Sequence, residues 1–192
     1  MKISSAKFVT SVAKVSNIPN DYKEFAFVGR SNVGKSSLIN SLLCQKLART
    51  STTPGRTRLI NFFLINNAFY FVDLPGYGFH SAGKQNENLW ATLIENYLKY
   101  SKALERVFML VDIRHAPTSQ DKQMLYYLTY SGIPFTIIAT KADKVAKSKV
   151  KNYIKKIADE FCITSASILP YSSIGQQGRE EILNIIEQHL NL

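Results

Sequence analysis

The octapeptide G-R-S-N-V-G-K-S at residues 29–36 restricts the possible folds of this chain more than any other feature. It fits the spacing G-x-x-x-x-G-K-[ST], a loop that wraps a polyphosphate in backbone N–H groups. Gly29 and Gly34 lack a Cβ and so permit a tight curl. Arg30, Ser31, Asn32 and Val33 contribute the N–H groups between them. Lys35 supplies a point charge for the phosphates, Ser36 a hydroxyl for Mg²⁺, and Ser37 a further N–H in the first turn of a helix. That helix aims its positive N-terminus at the same anion. The flanks agree: K-E-F-A-F-V (23–28) reads as a buried strand, and Leu38, Ile39, Leu42, Leu43 and Leu47 recur at helical spacing.

The alternation of patterns along the chain predicts an α/β fold. Strand-like runs lie at 23–28, 59–65, 69–74, 106–112, 134–140 and 168–172, and helix-like stretches at 35–47, 86–100, 119–131, 147–161 and 179–190. Such alternation implies parallel strands joined by crossover helices in three layers, a six-stranded mostly parallel sheet with about five helices. Only Asn66, Asn67 and Ala68 separate two of the runs. A link that short makes a hairpin, so one strand is expected to run antiparallel. Thr118 with Asp121 marks a helix start and Gly132 its stop. Segments 48–58 and 76–86 are polar or glycine-rich and are candidate mobile loops. No repeat or linker divides the chain, so residues 1–192 are expected to form one domain.

Composition narrows the classes. The 192 residues are 45% hydrophobic, with no run long enough to span a membrane. Lys2 and Lys7 precede no apolar block, so no secretory leader is expected. Cys44 and Cys162 lie in apolar helical patterns and are expected to be reduced core residues of a cytoplasmic protein. The formal net charge of +10 suggests a polyanionic partner.

Three further groups sit where a nucleotide pocket needs them. Asp73, Leu74, Pro75 and Gly76 end the apolar run F-Y-F-V. The carboxylate could hold Mg²⁺ through water, and Gly76 could bring an N–H to a γ-phosphate. Thr140, Lys141, Ala142 and Asp143 follow the strand F-T-I-I-A. Guanine presents N1–H and its 2-amino group as adjacent donors, and one carboxylate, Asp143, accepts both. Adenine has an acceptor at N1, so the pair is worth about 1–3 kcal/mol of discrimination. Lys141 can lay its stem along the purine face. Tyr171, Ser172 and Ser173 close the last strand, where N–H groups could meet guanine O6. Gly55, Arg56 and Thr57 stand in T-P-G-R-T (53–57), between the phosphate loop and Asp73. A threonine there could give Mg²⁺ a second hydroxyl, with Thr50, Thr52 and Thr53 as competitors.

These residues resemble the translation-factor-related GTPases, and within them the bacterial EngB family, also called YihA or YsxC. The resemblance runs through S-V-A-K-V-S-N-I-P (11–19), F-V-G-R-S-N-V-G-K-S-S-L-I-N (27–40), T-P-G-R-T, D-L-P-G-Y-G (73–78), V-D-I-R-H-A-P-T-S-Q-D (111–121) and T-K-A-D (140–143), nearly the whole chain. It implies that Thr57, with Ser36, is the Mg²⁺-binding threonine. It implies a six-stranded mixed sheet with five helices and no appended domain. It also implies a GTP hydrolase acting in assembly of the large ribosomal subunit, with septation defects on its loss. The partners it implies are guanine nucleotide and a large-subunit precursor of rRNA and ribosomal proteins, met by a monomer.

Two departures from the wider GTPase pattern matter. Thr140 stands where an asparagine usually reads purine N7, which predicts modest affinity. Tyr77 stands where Ras-type enzymes place a water-orienting glutamine, which predicts slow turnover, below about one per minute. No side chain stands out as a general base. Asn32 offers a compensation, since GTPases with asparagine at this place include members that hold K⁺ beside the phosphates. Lys141, Lys144, Lys147, Lys149, Lys151, Lys155 and Lys156 crowd one stretch, and Arg49, Arg56 and Arg58 another, a pattern suited to RNA phosphates. His80, His115 and His189 share no metal-ligand spacing, and Trp90 and the tyrosines of 126–130 read as core and rim rather than as stacking platforms. The alternatives are a regulatory GTPase of cell division without RNA contact, and an ATPase or kinase, which Asp143 disfavours.

Overall fold

The computed structural model describes residues 1–48, 59–77 and 84–190, and the side chains of these apart from 84–91. Its sheet has seven strands: β1 (Ala6–Val12), β2 (Lys23–Gly29), β3 (Ile60–Ile65), β4 (Phe69–Asp73), β5 (Leu104–Asp112), β6 (Phe135–Thr140) and β7 (Ile168–Pro170), in the order β1-β3-β4-β2-β5-β6-β7. Only β3 runs against its neighbours, pairing antiparallel with both β1 and β4. Five helices accompany the sheet: α1 (Lys35–Leu43), α2 (Lys84–Tyr100), α3 (Ser119–Tyr130), α4 (Val150–Phe161) and α5 (Arg179–Leu190).

The expected six strands become seven because β1 was not foreseen. It is an edge strand, largely exposed, with a register break between Phe8 and Thr10. That irregularity blurs the two-residue alternation by which strands are recognised. Its start is tied down by Asn66, whose Oδ1 accepts from the Ser4 and Ser5 N–H groups and whose Nδ2 donates to the Lys2 carbonyl. Asn66 and Asn67 both have φ of 51°, the left-handed pair that a tight hairpin between right-twisted strands requires.

Alternating residues of the central strands point to opposite faces, and both faces are buried. Phe25 and Phe27 of β2, Phe69 and Phe71 of β4 and Phe108 of β5 pack under α1 and α5. Their rings interlock, with Phe27 stacked on Phe108 at 5.2 Å and edge-on to Phe71 at 5.0 Å. Ala26, Val28, Val72, Val107 and Met109 face α2, α3 and α4.

Several element ends differ from the sequence expectation for local reasons. The first helix stops at Leu43 because Cys44 turns left-handed (φ 52°), and Arg179 donates to the Ser41 and Leu42 carbonyls of its last turn. Cys162 ends α4 in the same way (φ 54°). Both cysteines are therefore exposed at helix ends and are not core residues. The run 147–161 opens with a single 3₁₀ turn at Lys147–Lys149 before α4 begins. Gly132 does stop α3: it takes φ of 64°, and Ile133 N–H closes back on the Leu128 carbonyl.

One buried carboxyl fastens α2 to the sheet. Glu24 of β2 is 0% exposed, and its Oε2 accepts hydrogen bonds from Tyr97 and Ser101 at 2.7 Å each, while Oε1 has no partner among the described residues. Burial raises this carboxyl above its ordinary value of 4.5, and the bonds from Ser101 and Tyr97 offset only part of the rise. A carboxyl whose pKa is higher folded than unfolded supports the fold when protonated. That support is complete below its unfolded value and is lost as pH rises through the folded one. Glu24→Gln removes the titration. Urea unfolding should therefore show the variant gaining on the wild type as pH rises above the ordinary carboxyl value of 4.5. A constant difference would contradict this.

Candidate functional site

The carboxyl ends of β2, β4, β5 and β6 open on one edge of the sheet. There β2 lies between β4 and β5, the point where strand order reverses and α/β sheets bind ligands. The phosphate loop leaves β2 at Gly29 and enters α1 at Lys35. The two loop glycines serve different ends. A Cβ on Gly29 would meet the Leu110 carbonyl oxygen at 2.8 Å, so glycine there lets the loop lie against β5. A Cβ on Gly34 would meet only ordinary contacts, with Thr140 at 3.8 Å, but its φ of 106° is a conformation only glycine adopts easily. Asn32 also turns left-handed, with φ of 63°. Ser31 N–H bonds the Tyr77 carbonyl at 3.0 Å, and a Cβ on Gly76 would touch Ser31 N at 3.0 Å. The segment Leu74–Tyr77, with Pro75, thus lies directly on the phosphate loop.

Lys35 and Asp73 are both buried and form an ion pair. This places at one point the ammonium expected to meet phosphate and the carboxylate expected to face Mg²⁺. Ser36 opens α1 beside them, its hydroxyl free of any bond within the chain among the described residues. A hydroxyl and a carboxylate suit Mg²⁺, which keeps several waters and takes its other oxygens from phosphate. Among the described residues no cluster of His, Cys, Asp or Glu offers an all-protein cage. Gly55, Arg56 and Thr57 lie outside the described residues, as do Gly78, Phe79 and His80.

The base-reading loop is tied to the phosphate loop twice. Thr140 Oγ1 lies 2.6 Å from the Val33 carbonyl oxygen and 3.0 Å from that of Val111. With its one hydrogen so engaged, the hydroxyl braces the two loops. Lys141 adopts φ of 62° and donates from Nζ to the Asn32 carbonyl at 2.8 Å. Its stem therefore spans from the base loop to the phosphate loop. Ala142 N–H bonds the Tyr171 carbonyl, which docks the base loop on the end of β7. Asp143 Oδ1 accepts from Ser172 Oγ at 2.9 Å. Burial nudges the Asp143 carboxyl up, but the bonds from Ser172, its own backbone and Lys144 carry it below its ordinary value. The N–H groups of Tyr171 and Ser172 are engaged by the Ala139 and Gln177 carbonyls. Ser173 is the member of that tripeptide whose N–H makes no bond within the chain among the described residues.

Two carboxylates at the site carry no nucleotide-binding role in the sequence reading. Asp112, at the end of β5, is buried and meets Lys141 Nζ at 2.9 Å and Arg114 at 2.8 and 2.9 Å. Burial opposes its charge, but Arg114 and Lys141 hold its carboxyl well below the usual range. Asp112 thus orients the lysine that spans the pocket. Its signature, an acid closing an apolar strand, is the one that marked Asp73. Asp112→Asn should weaken GDP and GTP alike, by about tenfold for one charge-assisted bond. Fluorescent-nucleotide titration checks this, and a loss confined to one nucleotide would contradict it.

Asp121, 1% exposed, joins three elements. It accepts from the Thr118 N–H and hydroxyl at the start of α3, from the Tyr77 hydroxyl at 2.9 Å, and pairs with Arg30 Nε at 3.4 Å. Burial, followed by the Asp121 charge, pushes the Tyr77 phenol well up, so it stays a donor.

Comparison with known proteins agrees with this geometry. A family model described as 50S ribosome-binding GTPase matches residues 24–141. The chain is 49% identical over 190 residues to a protein of Clostridium kluyveri called probable GTP-binding protein EngB, covering 97% of this chain and 96% of that one. It is 48% identical over 194 residues to the protein of the same name from Fusobacterium nucleatum, covering 100% of each. A crystal structure of a probable GTP-binding protein engB superposes with a TM-score of 0.72 at 25% identity, over 88% of this chain and 98% of that one. Era of Aquifex aeolicus, bound to GDP·AlF₄⁻, shares the fold with a TM-score of 0.69 at 22% identity, over 86% of this chain and 56% of that one.

Proposed function

The chain belongs to the EngB family of P-loop GTPases, which are GTP hydrolases, and we propose that it is a slow GTP-driven switch in assembly of the large ribosomal subunit. The observation that carries this reading is the convergence of four loops on one edge of the sheet. The Lys35–Asp73 pair, the Thr140 and Lys141 bonds to the phosphate loop, and Ser172 on Asp143 together form a guanine-nucleotide pocket. Residues 1–192 act as a single GTP-binding domain and a monomer in the cytoplasm; no helix among the described residues is long and apolar enough to cross a membrane.

The nucleotide is held by Gly29, Arg30, Ser31, Asn32, Val33, Gly34, Lys35, Ser36 and Ser37 at the phosphates. Asp143 holds it at the base, with Ser173 N–H toward guanine O6. Ser36 and Thr57 would hold Mg²⁺, with Asp73 through water, and the ion would supply charge neutralisation at the phosphates. Hydrolysis resets the switch by freeing Thr57 and the backbone around Gly76 from the γ-phosphate. The GTP form docks on a precursor of rRNA and ribosomal proteins, and loss of the protein disturbs septation. The decisive experiment sediments the protein with large-subunit particles in GDP and in a non-hydrolysable GTP analogue. Nucleotide-dependent co-sedimentation supports the reading, and equal absence in both removes it.

The Tyr77 ring is turned toward Asp121 and cannot orient water as a glutamine does, which supports turnover below about one per minute. A K⁺ ion beside Asn32 would add the missing positive charge at the transition state. GTP turnover should then be higher in KCl than in NaCl at equal ionic strength, by about tenfold or more for several kcal/mol of added electrostatic stabilisation. Equal rates would count against K⁺.

A further inference from the structure

The exposed side of α3 carries two tyrosines one turn apart, Tyr126 at 69% exposure and Tyr130 at 80%. Their rings are nearly parallel, 15° apart with centroids at 5.9 Å. Neither hydroxyl makes a hydrogen bond among the described residues. Two large rings held parallel with their outer faces in water form the beginning of a stack. Lys122 lies one turn before Tyr126 on the same stripe and reaches Glu160 of α4 at 2.6 Å. That pair brings the stripe beside α4, where Lys156 sits one turn from Glu160 and over the Tyr153 ring at 5.9 Å. Beyond it, Lys147, Lys149, Lys151 and Lys155 are exposed and pair with no carboxylate among the described residues.

We propose that Tyr126 and Tyr130 are a stacking platform for unpaired bases of RNA, whose phosphates run onto the lysines of α4. The inference rests on the proposed ribosomal partner and names the surface and the RNA chemistry. Aromatic faces beside a lysine-rich groove are the arrangement by which single strands are held without sequence reading. A duplex hides its base faces and offers only phosphate and sugar, so it gains nothing from the rings. The local charge favours a polyanion over an acid-poor protein surface, and the chain's net charge of +10 agrees.

The test uses the full chain loaded with Mg·GDP and two labelled RNAs, a 12-nucleotide strand unable to self-pair and a 12-base-pair duplex, followed by fluorescence anisotropy across a salt series. The wild type should prefer the single strand. Tyr126→Ala with Tyr130→Ala should weaken it about tenfold or more, leave the duplex unchanged and leave the salt slope unchanged. Tyr126→Phe with Tyr130→Phe should bind as the wild type does, since the ring faces remain. Lys155→Ala with Lys156→Ala should reduce the salt slope for both RNAs. GDP affinity and thermal midpoint should be those of the wild type in every variant, which separates this surface from the nucleotide pocket. Equal single-strand binding by the alanine pair, loss in the phenylalanine pair, or no RNA binding by the wild type overturns the proposal. If large-subunit particles still co-sediment in those cases, only the platform has failed. If they do not, the ribosomal reading has failed as well.

Discussion

Asp143→Asn is expected to turn preference from guanine to xanthine nucleotides. The carboxylate accepts from two adjacent donors of guanine, and an amide can accept from only one while presenting its own N–H to the other. The loss for GDP should be about tenfold to a hundredfold, with a gain for XDP. The fold should survive. An asparagine Oδ1 can still accept from Ser172, and the exposed pair with Lys144 at 3.4 Å is worth at most about 1 kcal/mol. Because its surroundings lower the carboxyl, Asp143 stays ionised well below neutral pH, so the comparison can be made at any ordinary assay pH. Competition against a fluorescent guanine nucleotide measures it. An unchanged order of GDP, XDP and ADP would remove Asp143 from the base-reading role.

Asp121→Ala should cost about 3–5 kcal/mol of stability and speed nucleotide release. It strips the acceptor from the Tyr77 hydroxyl, from the Thr118 N–H and hydroxyl, and from Arg30, all part-buried around a carboxylate that is itself 1% exposed. The phosphate loop, the segment after Asp73 and α3 lose their common anchor together. Thr118→Ala separates this from simple helix capping, since losing a cap alone costs about 1 kcal/mol. Urea denaturation and the rate of GDP release give both readings. If Asp121→Ala costs no more than Thr118→Ala, Asp121 is a cap and nothing else.

Much of the fold was legible because it depends on nearest neighbours. The Asn66–Asn67 hairpin, the Thr118–Asp121 capping box and the Gly132 stop rest on backbone preferences within four residues, and each was read from the chain. The central strands were legible because both their faces are buried and their apolar runs are continuous. The strand β1 escaped because it is exposed, bulged and defined by a partner about fifty residues away. The cysteines were misread because helical periodicity continued past the residues where Cys44 and Cys162 turn left-handed. At the candidate site, glycine, lysine, serine and aspartate stand at fixed spacings, and the structure brings Gly29, Gly34, Lys35, Ser36 and Asp73 to one edge of the sheet. That Thr140 braces the phosphate loop across 107 residues was not legible, because spacing does not say which carbonyl a hydroxyl will meet.

The sequence by itself determined the layered α/β class and the position of the phosphate loop, and it singled out the carboxylate proposed to read the base. These follow from short-range periodicity and from the chemistry of a known ligand class. Only the tertiary structure decided that Asp112 aims Lys141, that Asp121 joins Arg30, Tyr77 and α3, and that Tyr126 and Tyr130 stand stacked in solvent. Tyr77 meets Asp121 across 44 residues of chain. Such pairings exist only once the sheet has brought its strand ends together, because a side chain's partner is set by packing in space and not by its neighbours in sequence.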